Sequence, residues 1–236
     1  MKISQSMIKD MEGDFCPHMI HLKYNLNCRT EPTEAMENGL FFESELLGSA
    51  RGGKFELPKN KQGKPYKREL DILENVKYAK SIFQKHNVKI QEVQPYYERN
   101  NAAGHLDAIA NIGIIDVKWT GMAKDKFIRE LQYGMIESYE IQARQYQYIY
   151  PADFYFYIFG KSNWCKIIKF PYDEQKVKEH YENNIHPTEL KLKSIDTFEI
   201  EPSYDQCEGC RVKDFCKHDK KQDTPPIENY ELYKRD

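Results

Sequence analysis

The sequence has no long apolar run and no strong net charge. Its first residues, MKISQSMIKDMEGD, lack the apolar stretch of a secretory signal peptide, and no window is long and apolar enough to span a bilayer. We therefore expect an intracellular, cytoplasmic protein without a membrane partner. The net charge of −2 excludes a global basic field that would attract nucleic acid, although a local basic patch would still suffice.

Apolar and aromatic residues are plentiful. They include 17 Tyr and 12 Phe, and 40 % of the 236 residues are apolar, so the chain can bury a sizeable core. Internal repeats are absent. Helical and strand-like segments follow one another as helix, strands, helix and strands, which predicts an α/β or α+β fold.

Local patterns predict the individual elements. Ser4 or Ser6 is expected to cap a first helix that ends near Gly13. Apolar spacing and breakers predict further helices at residues 33–47, 68–87, 126–150 and 174–184. We also predict one strand at 89–98, two strands within 102–121, and a hairpin formed by 153–160 and 164–170.

Charged residues interrupt the apolar strands of the segment AAGHLDAIANIGIIDVKWTG. If Asn111 and Ile112 form a two-residue turn, Asp107 falls directly across from Asp116. Lys118 lies two residues further on and on the same side as Asp116. The register segregates the two faces: one is apolar and should face the core, and the other carries the charges at one end.

Two directly opposed carboxylates repel each other, and a divalent cation would remove that penalty. Such an ion neutralises phosphate charge and lowers the pKa of a bound water, while a nearby lysine orients the water or stabilises the transition state. The arrangement therefore suits phosphodiester hydrolysis. A structural salt bridge between Lys118 and Asp107 or Asp116 is the alternative that the spacing leaves open.

The motif GHLDAIA…IIDVKW resembles the signature of PD-(D/E)XK nucleases, whose three positions are matched by Asp107, Asp116 and Lys118. Two further features resemble the RecB-like branch. Glu43 follows Gly39 by four residues, at the place of a metal-binding His or Glu. Gln142 and Tyr146 match a Q-x-x-x-Y motif on the following helix, where one helical face presents both.

Four cysteines add a second resemblance. Cys16 near the N-terminus, with Cys207-x₂-Cys210-x₅-Cys216 near the C-terminus, resembles the iron–sulfur RecB-like nucleases, which include CRISPR-associated exonucleases and AddB-type nuclease domains. That resemblance implies a [4Fe–4S] cluster held by these four thiolates.

A zinc site is the rival interpretation of the cysteines, with Cys16, His18 or His218 completing the three C-terminal residues. Disulfides are disfavoured by the absence of an export signal. Cys165 is expected to be a buried strand residue, and Cys28 is expected to lie outside the ligand set.

The resemblance implies one nuclease domain over 1–236, with a restriction-endonuclease-like core at about 33–172. In it a central mixed sheet is flanked by helices, and segments 1–30 and 200–220 join at the cysteine cluster. It further implies a Mg²⁺- or Mn²⁺-dependent exonuclease that acts on single-stranded or frayed DNA ends. The implied metal ligands and assisting residues are Glu43, Asp107, Asp116, the Val117 carbonyl, Lys118, Gln142 and Tyr146.

Other functions stay open at this stage. The chain could be a non-catalytic nucleic-acid-binding or assembly protein with a structural cluster, or a site-specific endonuclease. The sequence is compatible with a role in DNA repair, recombination or CRISPR adaptation, and with a phage origin. It is also compatible with a homo-oligomer or a partner recombination or repair protein. A nucleotide cofactor is not expected, because Tyr155 occupies the Gly position that a phosphate-binding loop ending at Gly160 would need.

A basic stretch, RGGKFELPKNKQGKPYKREL at residues 51–70, reads as a solvated loop from charge alone. It becomes a candidate for phosphate contacts only together with a nuclease site.

Overall fold

The computed structural model describes residues 2–13, 15–28, 32–48, 62–63, 67–194, 207 and 209–216. Most of the basic stretch, including Arg51, Lys54, Lys59, Lys61 and Lys64, lies outside the described residues, as does His218. No helix in the described segments combines the length and apolar character needed to cross a bilayer.

The chain divides into two compact units. One consists of Pro32–His180, and the other combines Met1–Glu31 with Tyr181–Asp236. The first unit contains the predicted nuclease-like core, and the second contains the four cysteines of the predicted cluster.

The unit Pro32–His180 is built on a five-stranded sheet, β1–β4–β5–β6–β7 in spatial order. A separate two-stranded sheet pairs β2 with β3. All neighbours in the large sheet are antiparallel except β5 and β6, which run parallel, so the sheet is mixed as predicted. In chain order the strands are Ile90–Val93, Tyr96–Arg99, Ala102–His105, Ala108–Ala110, Gly113–Thr120, Phe154–Gly160 and Trp164–Phe170.

Helices lie on both sides of this sheet. A parallel pair of strands needs a crossover, and the segment between β5 and β6 supplies it with two helices. The helices of this unit, α3 to α7, are Glu34–Leu47, Lys67–Lys85, Lys124–Glu130, Ile136–Ile149 and Glu174–His180. Helix α3 starts and ends as its sequence predicts: the Thr33 side chain accepts from the backbone of Met36, and Gly48 closes it in a left-handed conformation.

The main core lies between helices α3 and α4 and one face of the sheet. Ala108, Ala110, Ile115 and Val117 come from β4 and β5, and this is the face that the sequence predicted to be apolar. Helix α4 contributes a stripe at helical spacing, formed by Ile72, Val76, Ala79 and Phe83. Leu70, an apolar residue on the same helix, lies outside this stripe and is 48 % exposed.

Helix α6 covers the opposite face of the sheet. The ring of Tyr139 stacks on Phe156 at 4.5 Å between centroids, and the ring of Tyr146 stacks on Phe154 at 5.8 Å. Strand β5 is therefore buried on both faces, and its charged residues point into the interface with a helix.

The predicted single helix at 126–150 is interrupted. Helix α5 ends at Glu130, a π-helical turn spans Leu131–Met135, and the backbone leaves helical geometry at Tyr133 and Gly134. Gly134 has φ +106°, which favours glycine and breaks the helix where periodicity alone suggested continuity. Likewise the predicted helix at 174–184 gives way after His180 to a π-helical turn.

Two strand predictions were also wrong in detail. The segment predicted as one strand is divided by Gln94, whose φ of +52° turns the chain between β1 and β2. The segment predicted as two strands contains three, because Leu106 and Asp107 separate β3 from β4. The hairpin of β6 and β7 forms as predicted.

The unit formed by the two chain ends holds short helices: α1 (Gln5–Asp10), α2 (Pro17–Ile20) and α8 (His186–Ser194). Ser4 caps α1, as expected. A small apolar cluster in this unit contains Leu22, Cys28, Val212 and Phe215.

Candidate active site

The pairing of β4 with β5 has the register that the sequence predicts. Ala108 pairs with Ile115 and Ala110 with Gly113, so one further step of the same register, just before β4 begins, would set Asp107 across from Asp116. Gly113 permits the tight turn, because its φ is +132° and a Cβ there would lie 2.2 Å from the Asp153 carbonyl oxygen.

Asp116 is held on both carboxylate oxygens. Its side chain is buried, with Lys118 Nζ 2.6 Å from Oδ1, and Gln142 donates from Nε2 to Oδ2 at 2.6 Å. The Lys118 ammonium forms an ion pair with Oδ1, which has no other hydrogen-bond partner among the described residues. The Lys118 side chain is 37 % exposed, whereas that of Asp116 is 3 % exposed.

The charges of this cluster act strongly on one another. Burial raises the pKa of Asp116, the Lys118 charge lowers it, and the Asp107 and Glu43 charges raise it again, with a net rise. Burial alone would lower the pKa of Lys118, but Asp116 and Asp107 outweigh it and raise that pKa. We call Glu43, Asp107, Asp116 and Lys118 the carboxylate cluster; its negative charge exceeds what its one lysine balances.

Fixed donors orient the other two carboxylates. Asp107 Oδ2 accepts from the backbone N–H of Val117 at 2.9 Å, and Glu43 Oε1 accepts from Gln94 Nε2 at 2.9 Å. The backbone N–H of Gln94 also donates to the Asp107 carbonyl, at 3.0 Å. Gln94 thus forms hydrogen bonds with both Glu43 and Asp107. Sequence reasoning missed it, although the Gln-Pro dipeptide that breaks the strand pattern was a signal.

Helix α6 presents three side chains to the site. Gln142 and Tyr146 were predicted; Gln142 contacts Asp116, while Tyr146 packs where a Cβ on Gly104 would come within 2.9 Å of its ring. Tyr139 was missed. Burial raises its pKa, and the charges of Lys118 and Asp116 reach it too. The spacing i, i+3, i+7 could have indicated it.

The donor set of the carboxylate cluster fits a hard divalent cation. The charges of Asp107 and Glu43 act on Asp116, and this repulsion between carboxylates is the feature that such an ion relieves. As arranged, no group of three or more His, Cys, Asp or Glu side chains within the described segments is positioned to hold a metal ion. Binding would require the carboxylates, each now held by a hydrogen bond, to turn toward one another.

Cys16, Cys207, Cys210 and Cys216 come together in the unit formed by the chain ends. Burial raises the pKa of Cys210, a backbone hydrogen bond from Val212 lowers it, and the charges of the other three cysteines raise it. The other three cysteines therefore lie close enough to act on Cys210, although among the described residues no three of these side chains are yet positioned to hold a metal ion. Soft thiolates suit an iron–sulfur cluster or zinc. We call these four residues the cysteine cluster.

The remaining cysteines have apolar surroundings. Cys28 is 2 % exposed in the apolar cluster of its unit, and burial alone raises its pKa. Cys165 lies on β7, where burial raises its pKa to about 11. His18, the alternative ligand, is buried.

No model of a known protein family matches this chain, and no curated protein sequence matches it. Two solved structures share its fold. A predicted exonuclease of Eubacterium rectale superposes with a TM-score of 0.59 at 20 % identity, over 98 % of this chain and 92 % of that one. An alkaline exonuclease of Laribacter hongkongensis superposes with a TM-score of 0.50 at 11 % identity, over 81 % and 90 %.

Proposed function

We propose that the chain is a metal-dependent nuclease of the PD-(D/E)XK kind that hydrolyses phosphodiester bonds in DNA. The observation that carries the proposal is the opposition of Asp107 and Asp116, with Lys118 Nζ 2.6 Å from the latter. The fold shared with two exonucleases supports the same class.

Glu43, Asp107, Asp116 and the Val117 carbonyl would hold Mg²⁺ or Mn²⁺. When bound, such an ion neutralises phosphate charge and lowers the pKa of a water. The raised pKa of Asp116 supports this assignment, because burial first, and then the charges of Asp107 and Glu43, disfavour the ionised carboxylate, and a bound cation would stabilise that form.

The chain's own residues orient the metal ligands and stabilise the charge on the phosphate. Lys118 keeps its proton, since its pKa is raised, and its ammonium can donate to a phosphate oxygen or orient the attacking water. Gln142 fixes the orientation of Asp116, and Gln94 fixes that of Glu43. Tyr139 and Tyr146 lie close to Lys118 on the side of helix α6.

We further propose that the enzyme is an exonuclease acting on single-stranded or frayed DNA ends. The test is purified protein on end-labelled single-stranded and duplex DNA with Mg²⁺, Mn²⁺ or chelator, and with closed circular DNA as the control. Mononucleotide release from linear DNA, with intact circles, is expected. Nicked circles would indicate an endonuclease, and no metal-dependent cleavage of any substrate would refute the nuclease proposal.

For the cysteine cluster we propose a [4Fe–4S] centre held by Cys16, Cys207, Cys210 and Cys216. Four clustered thiols can all ionise only if something positive compensates them, and iron–sulfur clusters are held by four thiolates. Anaerobically purified protein should be brown, with about four irons per chain if one such cluster is bound. Stoichiometric zinc without iron would refute the proposal in favour of a structural zinc site.

A further inference from the structure

An aromatic pair stands exposed beside the carboxylate cluster. Strands β2 and β3 pair Tyr96 with His105, and their ring centroids are 5.0 Å apart at an interplanar angle of 55°. Tyr96 is 52 % exposed and His105 is exposed as well. Tyr96 also donates from its hydroxyl to Glu98 at 3.3 Å, a contact that helps to fix the ring.

The hairpin does not need this pair for its core. Its packing against helix α6 comes from the neighbouring pair, in which Tyr97 contacts the ring of Tyr150 at 4.9 Å and Gly104 abuts Tyr146. Successive side chains of a strand point to opposite faces, so Tyr96 and His105 point away from α6. Their aromatic surface is left to solvent.

Both strands lead directly into the carboxylate cluster. Gln94, whose amide binds Glu43, precedes Tyr96 by two residues, and His105 precedes Asp107 by two. Two residues span at most about 7 Å even when fully extended. An aromatic pair therefore lies within reach of a nucleotide whose phosphate is at the carboxylates.

We propose that the Tyr96–His105 pair stacks an unpaired base of the substrate strand next to the carboxylate cluster, an inference that rests on the proposed nuclease function. The occupant is a single-stranded nucleobase, because every base has a π-face that an exposed aromatic ring can stack on without sequence preference. Bases within a duplex already stack on their neighbours. The pair would thus favour an unpaired strand at the site.

The binding test uses a single-stranded oligonucleotide containing 2-aminopurine, in chelator so that the DNA stays intact. Tyr96→Ala should raise Kd about tenfold and reduce the fluorescence quenching that accompanies stacking. Tyr96→Phe, which keeps the ring, should retain both. Tyr172→Ala, a matched change at another exposed tyrosine, should alter neither. Unchanged affinity and quenching in Tyr96→Ala would overturn the inference.

A cleavage test separates the base site from the chemistry. Bis(4-nitrophenyl) phosphate is a phosphodiester without bases, so Tyr96→Ala should hydrolyse it as the wild type does while showing a raised KM for single-stranded DNA. Equal losses on both substrates would mean that the pair only supports the fold, against the inference. If the wild type hydrolyses neither substrate, the proposed function fails, and the binding test alone decides the base site.

Discussion

The carboxylate cluster and the cysteine cluster are assembled in opposite ways. Asp107, Asp116 and Lys118 come from adjacent strands joined by a short turn, within one compact unit. The cysteine cluster gathers Cys16 and Cys207, which are 191 positions apart in the chain. Local pairing brings together three of the four residues of the first cluster, and only Glu43 is added by a distant helix. The second cluster forms only when two distant parts of the sequence meet.

The difference teaches what each cluster can contribute. The carboxylate cluster concentrates charge in a frame of hydrogen bonds, which stabilises little by itself but suits the stabilisation of a transition state. A metal centre bound by the cysteine cluster, as proposed, would close a long loop and restrict the unfolded chain. We therefore expect substitutions in the first to change chemistry, and substitutions in the second to change stability.

The largest effect is expected at the carboxylate cluster. Asp116→Asn and Lys118→Ala should each reduce cleavage by more than about 10³-fold, because both groups act where charge develops in the transition state. DNA binding should survive. Initial rates on end-labelled DNA, with affinity measured separately in chelator, provide the comparison. A variant of either kind that cleaves at the wild-type rate would contradict the site assignment.

The cysteine cluster should show the reverse pattern. Cys210→Ala should lose the iron and lower the free energy of unfolding by roughly 2–5 kcal/mol, the range found when a disulfide that closes a long loop is removed. Denaturant unfolding monitors stability, and iron content monitors the cluster. Cys28→Ala is the matched control, because this cysteine is buried in the same unit but should keep the iron. Iron retained in Cys210→Ala would exclude this residue as a ligand.

Acid should act on the unit of the carboxylate cluster through His180. Burial, assisted by the Arg144 charge, lowers the pKa of His180 to about 4. Between pH 6.5 and 4 the unfolded chain binds a proton that the folded one does not, so stability falls as the pH falls, by roughly 3 kcal/mol at most. His180→Asn should flatten this dependence in urea unfolding at pH 7 and pH 4.5. His86→Asn, a change at an exposed histidine, should leave the pH dependence as it is in the wild type. An equal loss of stability at pH 4.5 in the wild type and both variants would contradict the role of His180.

A smaller effect is expected at Gln142, which orients Asp116. Gln142→Ala should lower kcat about 10- to 100-fold, the cost typical of losing a residue that orients a metal ligand. Gln142→Glu, by adding a fourth carboxylate, should instead lower the Mn²⁺ concentration needed for half-maximal activity, because the added negative charge strengthens cation binding. Gln145→Ala on the same helix is the control for loss of fold, because Gln145 hydrogen-bonds to the buried His180 and not to a proposed metal ligand. Wild-type kcat in Gln142→Ala would assign Gln142 to packing only.

Strand pairing and the opposition of the two aspartates could be predicted from the sequence, because apolar alternation and a two-residue turn fix the register. The apolar face of β5 and the ends of helix α3 follow from equally local rules. These features need no knowledge of distant contacts.

The missed features depend on tertiary contacts or on unusual backbone. A left-handed Gln94 is not implied by its residue type, and its contact with Glu43 spans 51 positions. Tyr139 cannot be distinguished in the sequence from the other tyrosines of its helix, because its place at the site follows from the packing of helix α6 on the sheet. Gly134 could be noticed in the sequence, but whether a single glycine is tolerated in a helix or ends it is decided by packing.

Burial of β5 on both faces also bears on how its sequence can drift. Ile114, Ile115 and Val117 need only be apolar and of suitable volume, so each can be exchanged for several residue types. Asp116 and Lys118 admit no such exchange if they act as proposed. Only these two residues of the strand would then be constrained to one residue type. Relatives could diverge at nearly every other position of the strand while keeping the same arrangement of reactive groups.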